Sequence, residues 1–237
     1  MKLLVSVINK TEAACLNSVN CDILDIKDPL EGTIGAGSPK VIKEVVSVMD
    51  RSLPLSISIG DVHDNPNTMS LALLGVSMFK PALIKIGFLG AKNEKDAEKV
   101  AQKIVETINL FNITANLVLV GYADYSSIGC VSPLLLPEVA KKYGAFACMI
   151  DTVVKDRKTP FDHIPLKDLK QFKQVCSELG ILTVLSGSLD ENNLDSVAVV
   201  NPDIIGMRGS LCINKSRNAS LDPELVNRLY KAVHNSK

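Results

Sequence analysis

Two hydrophobic rhythms alternate along this chain. Short aliphatic runs predict buried strands at Leu3–Val7, Asp22–Lys27, Leu55–Ile59, Ala82–Gly87, Ala115–Val120, Phe146–Asp151, Ile181–Leu185 and Asp203–Gly206. Between them, apolar residues return at the i, i+3, i+4 spacing of one helix face. That spacing predicts helices over Thr11–Val19, Ser38–Met49, Thr68–Phe79, Asn93–Leu110, Leu166–Leu179 and Glu191–Val199. Two more run from the Ser132–Pro133 turn to Tyr143 and from Asp222–Pro223 to His234. Ser38 reads as an N-cap with Pro39 at the first helical position, and Asn93 reads as another cap. Strictly alternating strands and helices imply a parallel sheet. Eight such units in 237 residues imply an α/β single-domain (β/α)8 TIM barrel spanning 1–237. A doubly wound open sheet is the competitor. It has fewer units at this length and often carries a nucleotide fingerprint. The glycines of GTIGAG at Gly32 have the wrong spacing for one, and the segment reads as a loop.

Composition narrows the function. Hydrophobic residues make up 46% of the chain with no Trp, which suits an aliphatic core of buried parallel strands. The 26 basic and 26 acidic residues cancel, which argues against a nucleic-acid partner but leaves room for a local cationic pocket. No apolar run approaches the roughly 20 residues of a membrane span. The N-terminal apolar stretch is too short for a signal peptide. A cytoplasmic protein without a membrane partner is expected. The six cysteines form no CxxC pair and read as buried reduced thiols. His63, His163 and His234 are scattered without metal-ligand spacing, so no metal site is expected, and a Ser-His-Asp hydrolase fits poorly.

A few charges break the aliphatic runs. Asp25 and Lys27 share one face of the second strand. Burying a charge is costly unless it is paired or neutralised, so this element is either a structural ion pair or a reactive site. Gly32, Gly35 and Gly37 follow it, as in an active-site rim. Lys85 repeats the pattern in ALIKIG, Asp151 ends FACMID, and Lys155 lies in the loop just beyond. In a TIM barrel these five fall at the C-terminal ends of strands, where catalytic groups sit. Three lysines with two aspartates point to amine catalysis, in which a neutral lysine attacks a carbonyl and forms a Schiff base. Desolvation and neighbouring cations lower a lysine pKa from its usual value of about 10.4, while aspartates oppose the effect. The residues alone leave open which lysine is the nucleophile. Ser186-Gly187-Ser188 and Arg208-Gly209-Ser210, after the seventh and eighth strands, offer N–H groups, hydroxyls and a guanidinium to a phosphate. The alternative is a pair of ordinary tight turns.

DIKDPxEGxxGA from Asp25, IGDV at Ile59, IKIG around Lys85 and GYAD at Gly121 resemble the (5-formylfuran-3-yl)methyl phosphate synthase family. So do VSPLxLPExA from Val131, the Lys158-Thr159 and Phe161-Asp162 pairs after Asp151, and DIIGxRG at Asp203. The resemblance covers Leu3 to about Leu229. It implies a barrel lyase of methanofuran biosynthesis that condenses two molecules of glyceraldehyde 3-phosphate to 4-(hydroxymethyl)-2-furancarboxaldehyde phosphate, releasing phosphate and water. It further implies Lys27 as the Schiff-base lysine and Lys85 as a proton-transferring lysine. Asp25, Asp151 and Lys155 complete the implied site, with no metal or organic cofactor. The expected partner is a small phosphorylated aldehyde, and a homo-oligomer is left open. The chain departs from the family at DVHDNPNT after the third strand and at CINKSRNASLD from Cys212, both of which border the pocket. Two competing readings are a class I aldolase acting on another sugar phosphate and a non-catalytic barrel that binds a phosphorylated metabolite. The intact set of five charges argues against the second.

Overall fold

Strands that are apolar on both faces need cover on both faces, and here they obtain it by closing into a ring under a coat of helices. The computed structural model describes residues 1–61 and 65–235; His63 and part of the loop after the third strand lie outside them. The strands are β1 (Lys2–Val7), β2 (Ile23–Ile26), β3 (Leu55–Asp61), β4 (Leu83–Gly87), β5 (Asn116–Tyr122), β6 (Ala147–Asp151), β7 (Leu182–Leu185) and β8 (Ile204–Met207). They pair in parallel and in chain order, and β8 closes on β1 with Leu4 opposite Gly206. The helices between them are α1 (Lys10–Leu16), α2 (Pro39–Val48), α3 (Pro66–Ser77), α4 (Glu94–Leu110), α6 (Leu136–Tyr143), α8 (Leu166–Glu178), α9 (Leu194–Val200) and α10 (Pro223–Asn235). Two short helices, α5 (Tyr125–Ile128) and α7 (Pro160–His163), sit in loops at the mouth. The expected (β/α)8 barrel is thus present.

The caps behave as their chemistry requires. Ser38 Oγ accepts the Val41 N–H at 3.3 Å, and Asn93 Oδ1 accepts the Asp96 N–H at 3.1 Å. Gly121 lets β5 run to Tyr122, past the predicted end at Val120. A side chain there would begin 2.7 Å from Pro133 Cβ, inside van der Waals contact.

Two cores result. Leu3, Val5, Leu24, Ile26, Ile57, Ile84 and Ile86 face outward and pack under the helices. Leu4, Ile23, Leu83, Val118, Ala147, Val184 and Ile204 fill the lumen toward the strand N-termini. Each Val, Leu or Ile among them contributes about 1.5–3 kcal/mol by leaving water. Further up, the lumen turns polar: Ser6 lies opposite Asp25, Asp25 opposite Ser56, and Ser58 opposite Lys85. In β3 the isoleucines therefore face the helices and the serines face the lumen. Among the described residues no helix is long and apolar enough to cross a membrane. All six cysteines are free thiols.

Candidate active site

The second strand supplies two of the five singled-out charges, and their fates differ. Asp25 is fully buried and accepts three hydrogen bonds: from Ser6 Oγ at 2.8 Å, Ser56 Oγ at 2.7 Å and Lys85 Nζ at 2.7 Å. Lys85 is equally buried, so this pair is a satisfied internal ion pair. Two residues on, Lys27 is only 8% exposed. Among the described residues no hydrogen bond or ion pair reaches its Nζ. Burial lowers its pKa from the usual 10.5 to about 7; Asp151 and Asp25 oppose the shift, while Lys85 and Lys155 reinforce it. A lysine so placed is substantially neutral at neutral pH and can act as a nucleophile.

Asp151, at the end of β6, is the counterpart. Its carboxylate accepts the Thr152 N–H at 2.7 Å, Lys155 Nζ at 2.9 Å and Ser186 Oγ at 3.2 Å. Burial works to raise its pKa, but Lys155 and Lys27 overcome that and hold it at about 2. Lys155 also bonds the Thr152 carbonyl. Its loop is fixed from below by Asp124, whose carboxylate accepts the Val153 N–H at 3.0 Å and the Val154 N–H at 2.8 Å. Asp124 was visible in the sequence as the end of GYAD, but its task of holding the neighbouring loop depends on the β5–β6 pairing. The structure thus brings all five residues to one end of the barrel.

A cavity of about 600 Å³ opens over Lys27 and Asp151 and extends to the loops after β7 and β8. Ser186, Gly187, Ser188, Gly209 and Ser210 line its far end. Gly187 has φ +105° and lies so near Thr152 that a side chain would begin 3.0 Å from its backbone N. Only glycine meets both conditions. The Ser210 hydroxyl is buried with no hydrogen-bond partner among the described residues.

Arg208 requires a correction. It borders the cavity, but its five N–H groups are already committed: Nε to Arg217 O, Nη1 to Ser6 O and Glu12 Oε2, and Nη2 to Glu12 Oε1 and Ala219 O. The buried Glu12 on α1 takes the charge that the sequence reading assigned to a phosphate. Arg157, from the loop after β6, and Arg217, from the CINKSRNASLD loop where no periodicity marked it, also line the cavity. Among the described residues no group of three or more His, Cys, Asp or Glu is placed to hold a metal ion.

The profile of the family described as 4-HFC-P synthase matches residues 3–230. The chain belongs to the 4-HFC-P synthase family. It is 38% identical to the (5-formylfuran-3-yl)methyl phosphate synthase of Methanosarcina barkeri over 229 residues, covering 97% of each chain. With the protein of the same name from Archaeoglobus fulgidus it shares 36% over 235 residues, covering 99% of this chain and 100% of the relative. Distant barrels share the fold alone. Phosphoribosyl anthranilate isomerase of Thermus thermophilus superposes with a TM-score of 0.62 at 10% identity, covering 100% of both chains. A dihydrodipicolinate synthase gives 0.68 at 13%, over 100% of this chain and 77% of the other. In this 4-HFC-P synthase family member, the mouth combines a neutral amine, a strongly ionised carboxylate, an ammonium at its rim and a hydroxyl- and N–H-lined recess. That set can form an imine, balance its charge and hold an anionic ester.

Proposed function

We propose that this protein is a Schiff-base lyase of methanofuran biosynthesis. It would condense two molecules of glyceraldehyde 3-phosphate into 4-(hydroxymethyl)-2-furancarboxaldehyde phosphate with loss of phosphate and water. The observation that carries this reading is Lys27: buried, without a partner at Nζ among the described residues, with a pKa of about 7, and lining the cavity. The relatives' printed name, a furan phosphate synthase, supports the product class.

The amine of Lys27 adds to a triose-phosphate carbonyl and water leaves. The resulting iminium acidifies the neighbouring C–H. Asp151, held at about 2, is a weak base and suits charge balance of the iminium; Lys155 beside it can return a proton. Lys85, bonded to Asp25, lies within electrostatic reach of Lys27 and would pass a proton at that end of the site. Ser186, Gly187 and Ser188, together with Gly209 and Ser210, would hold the phosphate through N–H and hydroxyl groups rather than through Arg208.

Borohydride trapping with glyceraldehyde 3-phosphate, followed by peptide mass mapping, tests the reading. The expected result is a reduced adduct on Lys27, none in Lys27→Arg, and an ultraviolet-absorbing furan from the untrapped wild type. Full activity in Lys27→Arg would remove the imine from the mechanism. A non-absorbing aldol product would leave the imine and change the substrate.

A further inference from the structure

One acid group at the mouth has no part in the scheme above. Ser56 and Ser58 of β3 face the lumen, so a period of two would turn Gly60 inward and Asp61 outward. The β3–β4 register instead shifts between Ser58 and Asp61, and Asp61 comes to lie opposite Gly87. Gly60 takes φ +94° at this irregularity. Such a bulge re-aims a side chain, and here it brings the Asp61 carboxylate to the Tyr122 hydroxyl, which donates to Oδ1. Tyr122 is fully buried on β5 and lies in register with Asp151. Gly87 leaves the space where the two meet: a side chain there would collide with both Asp61 Oδ1 and Tyr122 Oη.

The other carboxylate oxygen faces elsewhere. Oδ2 lies 3.9 Å from where a Gly32 side chain would begin, on the wall of a second cavity of about 520 Å³. None of Asp25, Lys27, Lys85, Asp151 or Lys155 lines this cavity; Asp61, Gly32, Thr33 and Val153 do. Arg217 borders both cavities and donates from Nη2 to Gly32 O at 3.1 Å. The second cavity therefore has an oriented carboxylate at one side and a cation at the boundary with the first.

We propose that Asp61, positioned by Tyr122, is a further catalytic base, serving a second phosphorylated aldehyde seated in the Gly32–Asp61 cavity with its phosphate toward Arg217. This rests on the two-substrate condensation proposed above. Asp61 takes the proton from the carbon next to the carbonyl. The electron pair of that C–H bond forms a C=C bond, the C–O bond to phosphate breaks with its electrons, and inorganic phosphate leaves. No oxidant or further reactant is needed. Tyr122 touches no reacting atom; its donated hydrogen bond holds the carboxylate on the cavity wall.

The experiment compares wild type, Asp61→Asn and Tyr122→Phe with glyceraldehyde 3-phosphate, reading Lys27 trapping, phosphate release and furan formation separately. Asp61→Asn is expected to trap at Lys27 within about twofold of wild type while phosphate and furan formation fall by about 10²-fold or more, the scale of a lost general base. In Tyr122→Phe kcat for phosphate release should fall by about 10-fold with a smaller change in KM, because the carboxylate has lost the bond that positions it. Wild-type phosphate release by Asp61→Asn would overturn the inference. So would parallel loss of trapping and elimination in a folded variant, or a wild-type kcat for phosphate release in Tyr122→Phe. A wild-type protein that shows neither adduct nor furan would overturn the function itself, before any variant is compared.

Discussion

Replacing Lys27 with Met should make the protein more stable, and by an amount that depends on pH. The unfolded chain holds the Lys27 proton up to the usual 10.5, whereas the folded protein releases it at about 7. Between those values the unfolded state binds more protons, so the lysine's contribution to stability rises with pH across the window. Below it, the penalty is complete. The drop spans more than three powers of ten in proton affinity. At about 1.4 kcal/mol for each, the cost is about 4 kcal/mol at pH 7 and about 2 kcal/mol at pH 9. Met has similar length, carries no charge and suits the apolar stem of the pocket. Urea unfolding of wild type and Lys27→Met at pH 7, 8 and 9 reads the difference directly. The variant should lead by about 4 kcal/mol at pH 7, and the lead should halve by pH 9. A variant no more stable than wild type at pH 7, or a lead that ignores pH, would refute the claim that Lys27 is held neutral by burial.

Other predictions follow from the same geometry. Imine formation needs the free amine, so the trapping rate at Lys27 should rise with pH through about 7, and quenched-reaction mass spectrometry across that range checks it. Glu12→Ala strands the buried Arg208 charge and should cost about 3–5 kcal/mol in urea unfolding, with part of the loss recovered in Glu12→Leu/Arg208→Met. Asp124→Ala releases the Val153 and Val154 N–H groups that fix the Lys155 loop. It should lower kcat by about 10-fold or more with a smaller change in KM, since misplacing a catalytic group by about 1 Å is enough for such a loss.

The repeat of strand and helix was legible because both rhythms are strong and the caps at Ser38 and Asn93 carry their own chemistry. Four of the five charges were legible because a lysine or aspartate in an aliphatic strand is anomalous wherever it occurs, and Lys155 because it lies just beyond such a strand. Three features were not. Arg208 looked like a phosphate ligand because its acceptor Glu12 lies 196 residues away, and no local pattern links them. Asp61 sits on the wrong parity, and only the register shift at Gly60 brings it inward. Arg217 belongs to a loop whose path is set by carbonyls bonded to Arg208, so its reach into the mouth is a tertiary consequence.

The same Arg208 also bears on how the enzyme comes into being. Its partners, Ser6 and Glu12, lie 202 and 196 residues before it in the chain. The recess lined by Ser186, Gly187, Ser188, Gly209 and Ser210 therefore cannot exist on a growing chain until β8 has emerged and met β1. Lys27 and its neighbours on β2, β4 and β6 can gather earlier, but without the seam they would face an open sheet and water. Burial of Lys27 thus reports ring closure, and a nascent or clipped chain lacking β8 should carry Lys27 without the chamber that lowers its pKa.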